Sequence, residues 1–202
     1  MKYSQIGQDK FVLSVLGETH RGTFVDIGCH LPFEISNTLL LEEKGWTGVA
    51  IDIVDFSREW EERSTPFVQG NALECDYAQI FDDYDLPMVI DYLSVDVESS
   101  GDRFNVLKEV LLANREFRLI TVEHDLYKGY RETEQVPQRN LLSRLGYSLV
   151  ASNVGSGNGL PMEDWWANTR LVNADNYASF LSSGMAYRAI FAKAGITICF
   201  LI

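Results

Sequence analysis

Five short apolar runs recur along this chain, and each closes on a glycine or an acidic residue. They are 23–27 before Gly28, 48–53 around Asp52, 66–70 ending on Gly70, 88–97 with Asp96 near its end, and 117–123 ending on Glu123. Helix-like stretches separate them. Short apolar runs bounded by turn residues are characteristic of strands buried on both faces, and their alternation with helices implies a parallel sheet covered on both sides. Ligands on such sheets bind beyond the carboxyl ends of the strands, so the residues that close the runs are the candidate site.

The intervening stretches carry helix signals. Residues 4–16 place Phe11, Val12 and Val15 on one side, Asn37 is placed to cap a helix over 38–44 that Gly45 ends, and Asp102 precedes a helix with Phe104, Leu107 and Leu111 on one face. A helix over 138–145 ends at Gly146, a sixth strand spans 147–152, and a seventh, 165–172, is joined to it through the Gly/Ser/Asn loop 153–161. The expected fold is therefore α/β and Rossmann-like: a mostly parallel seven-stranded sheet with helices on both faces and an antiparallel edge strand. A length of 202 residues suits one domain. Residues 1–20 would form an N-terminal cap helix, and 176–202 a C-terminal extension of unassigned role. The apolar "AGITICFLI" reads as a buried strand or a segment covering the sheet.

Composition narrows the partners. Seventeen Lys and Arg against 29 Asp and Glu give a formal charge of −12, which opposes non-specific nucleic-acid binding. Three cysteines, Cys29, Cys75 and Cys199, have no metal-site spacing and fit a reduced compartment. The N-terminus lacks an apolar leader and the C-terminal apolar run is too short to span a bilayer, so a cytoplasmic protein without a membrane partner is expected. Oligomeric state leaves no mark in the sequence.

The loop "GCHLPF" (28–33) departs from the dinucleotide template G-x-G-x-x-G after its first glycine. A pyrophosphate needs several exposed backbone amides; S-adenosylmethionine has no phosphate and needs one close backbone approach. Asp26, Gly28, His30 and Asn37 around the first loop, Asp52 for the ribose hydroxyls, Asn71 and Ala72 near the adenine, and Asp96 at the methionine end are the candidate cofactor residues. An NAD-type oxidoreductase or epimerase, and a non-catalytic scaffold of the same fold, are the alternatives.

Several pieces in order resemble the FkbM-type methyltransferases, a class I family dependent on S-adenosylmethionine. They are "YSQIGQDKFVL" (3–13), "GTFVDIGCHLPFEISNTLLLEEKGWTGVAID" (22–52), "IDYLSVDVES" (90–99), "ITVEHD" (120–125), "LGYSLV" (145–150) and "EDWW" (163–166). Pro32 stands where the family often has a second glycine, and its Asp-Glu-Gly appears here as Asp96-Val97-Glu98-Ser99. The resemblance implies methyl transfer to oxygen, commonly a hydroxyl of a sugar, glycan or natural product.

An alcohol is a weak nucleophile, so a base is expected. His124, just past the fifth strand and flanked by Glu123 and Asp125, is the first candidate, followed by Asp96 and Glu123. Asp96, Glu123 and His124 together are a weak candidate set for a divalent cation, which is not expected to be required. Loops 54–65, 125–137 and 153–165 would set the acceptor. One of Trp165 and Trp166 should face the core and the other outward.

Overall fold

The computed structural model describes residues 3–98, 102–157 and 159–197. Its strands are β1 (Thr23–Ile27), β2 (Thr47–Asp52), β3 (Phe67–Gln69), β4 (Val89–Val95), β5 (Glu116–Glu123), β6 (Tyr147–Gly155), β7 (Pro161–Asn168) and β8 (Ser182–Ser183). They form one sheet in the order β3-β2-β1-β4-β5-β7-β6-β8. The helices are α1 (Gln8–Leu16), α2 (Leu39–Glu43), α3 (Ser57–Trp60), α4 (Tyr77–Asp83), α5 (Arg103–Leu112), α6 (Val136–Arg144), α7 (Ala174–Tyr177) and α8 (Tyr187–Lys193).

The sheet is Rossmann-like and mostly parallel, as expected, but two features of the expectation are corrected. The antiparallel strand is interior: β7 pairs with β5 on one side and β6 on the other. An eighth strand, two residues of β8, pairs parallel with Ala151 and Ser152 of β6; so short a strand has no periodicity to detect. β7 also starts four residues earlier than the run from 165. It stops at Asn168 because the Thr169 amide and hydroxyl both donate to the Gly146 carbonyl, which turns the chain.

Strand alternation sends successive side chains to opposite cores. Phe24, Tyr92, Leu119 and Trp165 pack on one face with Phe11, Val12 and Val15 of α1 and Phe180, Ile190 and Phe191 near the C-terminus. Val25, Leu93, Ile120 and Trp166 pack on the other with Phe81 of α4, Leu107 of α5 and Leu142 of α6. Both tryptophans are thus buried, contrary to the expectation for one of them, because the strand that carries them is covered on both sides. Trp165 stacks on Phe11 at 4.7 Å. The C-terminal stretch closes the α1 face through Phe180, Tyr187, Ile190 and Phe191. Of "AGITICFLI", Ala194 and Gly195 end α8, while 198–202, including Cys199, lie outside the described residues, as does Ser99.

One cap differs from expectation. Ser36 Oγ, not Asn37, accepts from the Leu39 amide at the start of α2. Asp102 stands at the N-cap of α5, while Glu134 Oε2 accepts from the Phe104 amide at 2.7 Å.

Register levels the strand ends. Ile27 is opposite Ile51 of β2 and Val95 of β4, so Gly28, Asp52 and Asp96 follow at one height. Gly28 has φ 81°, and a Cβ there would sit 2.0 Å from the Asp96 carbonyl oxygen. Gly28→Ala therefore combines a left-handed alanine with a backbone collision, and should cost about 2 kcal/mol or more, read from the urea midpoint of unfolding.

Candidate functional site

A cavity of about 500 Å³ opens over the carboxyl ends of β1, β2, β3 and β4. Asp26, Gly28, His30, Asn37, Asp52, Asn71, Ala72 and Asp96, the eight candidate cofactor residues, all line it. Its walls also include the partly exposed apolar side chains Ile35, Ile53, Val54 and Leu73.

Asp52 ties the first two strand ends together: Oδ2 accepts the His30 amide and Oδ1 the Val54 amide, each at 2.9 Å. Asp26, buried beneath, accepts from Thr38 Oγ1 at 2.8 Å, and burial pushes its carboxyl up to about 6 against that hydrogen bond. Asn37 donates from Nδ2 to Ser94 Oγ at 3.0 Å, while its buried Oδ1 has no partner among the described residues. Asn71 folds its own turn, accepting the Leu73 amide at 3.1 Å.

The loop from Gly28 to Thr38 has one glycine, and it places His30 and Ile35 at φ 51° and 54°. A left-handed β-branched residue is strained and persists only where its surroundings hold it. The holders come from just after β2. Trp60 Nε1 donates to the His30 carbonyl at 2.9 Å. Arg63 Nη1 donates to the Pro32 carbonyl at 3.0 Å and to Ser36 Oγ at 3.1 Å, with its guanidinium stacked 4.6 Å from the Trp60 ring centre. Arg63 is buried and paired with Glu42 at 2.7 Å. Burial opposes it, but hydrogen bonds from Thr65, Arg63 and the Ser64 amide hold the Glu42 carboxyl down at about 2. Trp60 and Arg63 were invisible as site residues in the sequence, where 54–65 read as an acceptor loop; an arginine and a tryptophan three apart carry no motif. Of the three expected acceptor loops, only 54–65 reaches the cavity among the described residues, through Val54.

On the other side of β1, the row continues as carboxylates. Val95 is opposite Val122, which sets Asp96 beside Glu123, and Glu123 is opposite Glu163 of β7. Asp96 and Glu123 are hydrogen-bonded to each other. Glu123 also contacts Arg103 Nη2 at 2.5 Å, and the same nitrogen reaches Asp125 at 3.0 Å. Burial, then the neighbouring Asp96 charge, pushes Glu123 up to about 9, and burial pushes Asp96 up to about 6. The two carboxyls, hydrogen-bonded to each other, therefore titrate as a pair, with burial raising both. Glu163, buried with Gln8 donating at 3.0 Å and Trp165 also donating, is raised to about 8 by burial.

His124 stands elsewhere. Its ring is fully buried, Nδ1 accepts the Leu126 amide at 3.2 Å, and Nε2 lies 3.3 Å from Asp164 Oδ1. Asp164 is also gripped by Arg139 at 2.7 Å and by the Asn153 amide at 2.8 Å. Both ring nitrogens are engaged and His124 does not line the cavity, which corrects its reading as the base. Among the described residues no three His, Cys, Asp or Glu side chains are grouped to hold a metal ion, so Asp96, Glu123 and His124 do not form the candidate cation set. No described helix is long and apolar enough to cross a membrane.

The architecture is a Rossmann-like α/β sheet. No protein-family model and no curated protein matches the chain. Solved structures share its fold: an O-methyltransferase candidate from Klebsiella pneumoniae (TM-score 0.55, 12% identity, 80% of each chain covered); cofactor-bound Rv0187 from MTB (0.54, 14%, 80% of this chain and 78% of that one); and a DUF574 family protein from Streptomyces avermitilis (0.51, 14%, 80% of each).

The Glu163 carboxyl has a consequence for stability. Its folded value near 8 lies above the ordinary glutamate value, so the folded state keeps a proton the unfolded chain releases. That contribution is complete below about pH 4.3 and is lost as pH rises through 8. Glu163→Gln, neutral at every pH, should flatten the decline of the urea midpoint between pH 5 and 8.5.

Proposed function

We propose that the chain is an S-adenosylmethionine-dependent methyltransferase acting on a hydroxyl, of a sugar, glycan or small natural product. The observation that carries this reading is the row Asn71, Asp52, Gly28, Asp96 along one cavity at the ends of the parallel strands. The residues fit that cofactor. Gly28 lets the turn after β1 close against the Asp96 backbone at the cavity, Asp52 keeps lone pairs for ribose hydroxyls beyond its two amide bonds, and Ile53, Val54 and Leu73 offer apolar contact for a base. Asn37 Oδ1 is an acceptor in want of a donor such as an ammonium. A dinucleotide fits less well: among the described residues no Lys or Arg lines the cavity to meet a pyrophosphate.

Bound there, S-adenosylmethionine supplies an electrophilic methyl group. The chain's part is to align the acceptor oxygen with it and to take the hydroxyl proton. Asp96 is the base in this reading, since it lines the cavity and burial makes it more basic than an ordinary aspartate. Glu123, held by Arg103 and hydrogen-bonded to Asp96, positions Asp96.

Calorimetry with S-adenosylhomocysteine and with NAD tests the cofactor: binding of the first alone is expected, and Asp52→Ala should weaken it about tenfold or more through loss of a charge-assisted hydrogen bond. Absence of binding would leave a non-catalytic role for the fold. For the base, transfer of labelled methyl to hydroxyl compounds should fall as pH drops through about 6, where Asp96 takes up a proton. Asp96→Asn should lower kcat about 100-fold and abolish that acidic limb.

A further inference from the structure

Residues 3–7 cross the carboxyl end of the sheet before α1 begins, and Gln5 among them lines the cavity. Two anchors fix their path. Tyr3 bridges to Ser36 in the loop after β1, and Gln8 Nε2 donates to Glu163 Oε2 of β7 at 3.0 Å. The strands between those anchors run β1-β4-β5-β7, so the stretch leads away from β2 and β3. It is also pinned along its length. Ser4 Oγ donates to the buried Asp9, and the Ile6 amide donates to Gln8 Oε1 at 3.1 Å. Ser4 and Ile6 are both buried, Ile6 in the same core as Phe11 and Tyr92. Gly7, at φ 86°, passes so close to Phe191 that a Cβ would lie 2.6 Å from its ring. Gln5 is partly exposed between these buried neighbours, and its carboxamide bonds to no described residue.

A cofactor with its adenine at Asn71 and Ala72 and its ribose at Asp52 extends its amino-acid end past Gly28 toward β4, the side that this stretch crosses. That end carries a carboxylate, which needs N–H donors, and among the described residues no Lys or Arg lines the cavity. The described lining side chains with N–H groups are Gln5, His30, Asn37 and Asn71. Asn37 Nδ2 donates to Ser94 and Asn71 Nδ2 to Glu74, each at 3.0 Å. His30 is held on the β2 side, its amide by Asp52 and its carbonyl by Trp60. The main-chain amides of Gly28 and Cys29 are both spent on the Ile51 carbonyl. The donor left on the β4 side is Gln5 Nε2.

We infer that residues 3–7 close the methionine end of the cofactor site and that Gln5 is a cofactor-binding residue, its Nε2 donating to the α-carboxylate. The inference rests on the S-adenosylmethionine reading of the cavity. A strap held at both ends before the ligand arrives needs little ordering on binding, so a hydrogen bond from it to a charged group should change affinity about tenfold or more.

Calorimetry with S-adenosylhomocysteine and with methylthioadenosine tests this, since the second keeps the adenine, ribose and sulfur but lacks the amino-acid end. Gln5→Ala should weaken S-adenosylhomocysteine about tenfold or more, with the methylthioadenosine affinity, read by displacement, and the urea midpoint of unfolding unaltered. Gln5→Glu keeps the length but replaces the donor with a negative charge, and should weaken S-adenosylhomocysteine at least as much, again sparing methylthioadenosine. Unaltered S-adenosylhomocysteine affinity in both variants overturns the inference. So does an equal loss for both ligands, or a fall in the urea midpoint that accounts for the loss, because the strap would then act on the fold alone. If the unsubstituted protein binds neither ligand, the S-adenosylmethionine reading falls and takes this role with it; binding that ignores Gln5 removes this role alone.

Discussion

The contact on which the rest of the site depends is the approach of Gly28 to the backbone of Asp96. The Gly28 amide donates to the Ile51 carbonyl at 2.8 Å and the Asp96 amide to the Ile27 carbonyl at 2.9 Å, so the ladder continues past the last apolar residue of both strands. That draws the two chain turns together until no Cβ fits between them. The shared height of the two strand ends follows from this pairing. So does the position of Asp96, which is carried to the cavity wall by a strand whose height is set by pairing.

A second consequence is electrostatic. The strand ends bring Asp26, Asp96, Glu123 and Glu163 into surroundings poor in water, and burial raises all four. The fold tolerates them by sharing protons and donors: Glu123 bonds to Asp96 and Arg103, and Glu163 takes Gln8 and Trp165. Only part of this network faces the cavity. Glu123, outside the cavity wall, is hydrogen-bonded to Asp96 and in that way bears on the charge inside it.

Much of the fold was legible because its signals are local. β1 matches its apolar run residue for residue, and Gly28, Asp52 and Asp96 were found simply as the residues that follow such runs. What was hidden depends on tertiary packing. Position put His124 next to a strand end, but the side chain turns into the Asp164 and Arg139 network. Trp60 and Arg63 act on a loop about 30 residues earlier in the chain, and nothing local announces such a partnership. β7 was seen as a strand, yet its place between β5 and β6 is a pairing choice that the hairpin loop does not encode.

That interior place of β7 orders the assembly of the sheet. Among the described residues β6 forms no ladder with β5; its ladder neighbours are β7 and β8. Until residues 161–168 emerge from synthesis, the outer edge of β5 is an unpaired row of amides and carbonyls beside Leu119, Thr121 and Glu123. An open edge of this kind is a template for wrong partners, and β6, made first, is the nearest of them. The β5 ladder is completed by β7, the later strand of the hairpin. Since β7 also carries Glu163, Trp165 and Trp166, its pairing sets the last carboxylate of the row and puts one tryptophan into each core together.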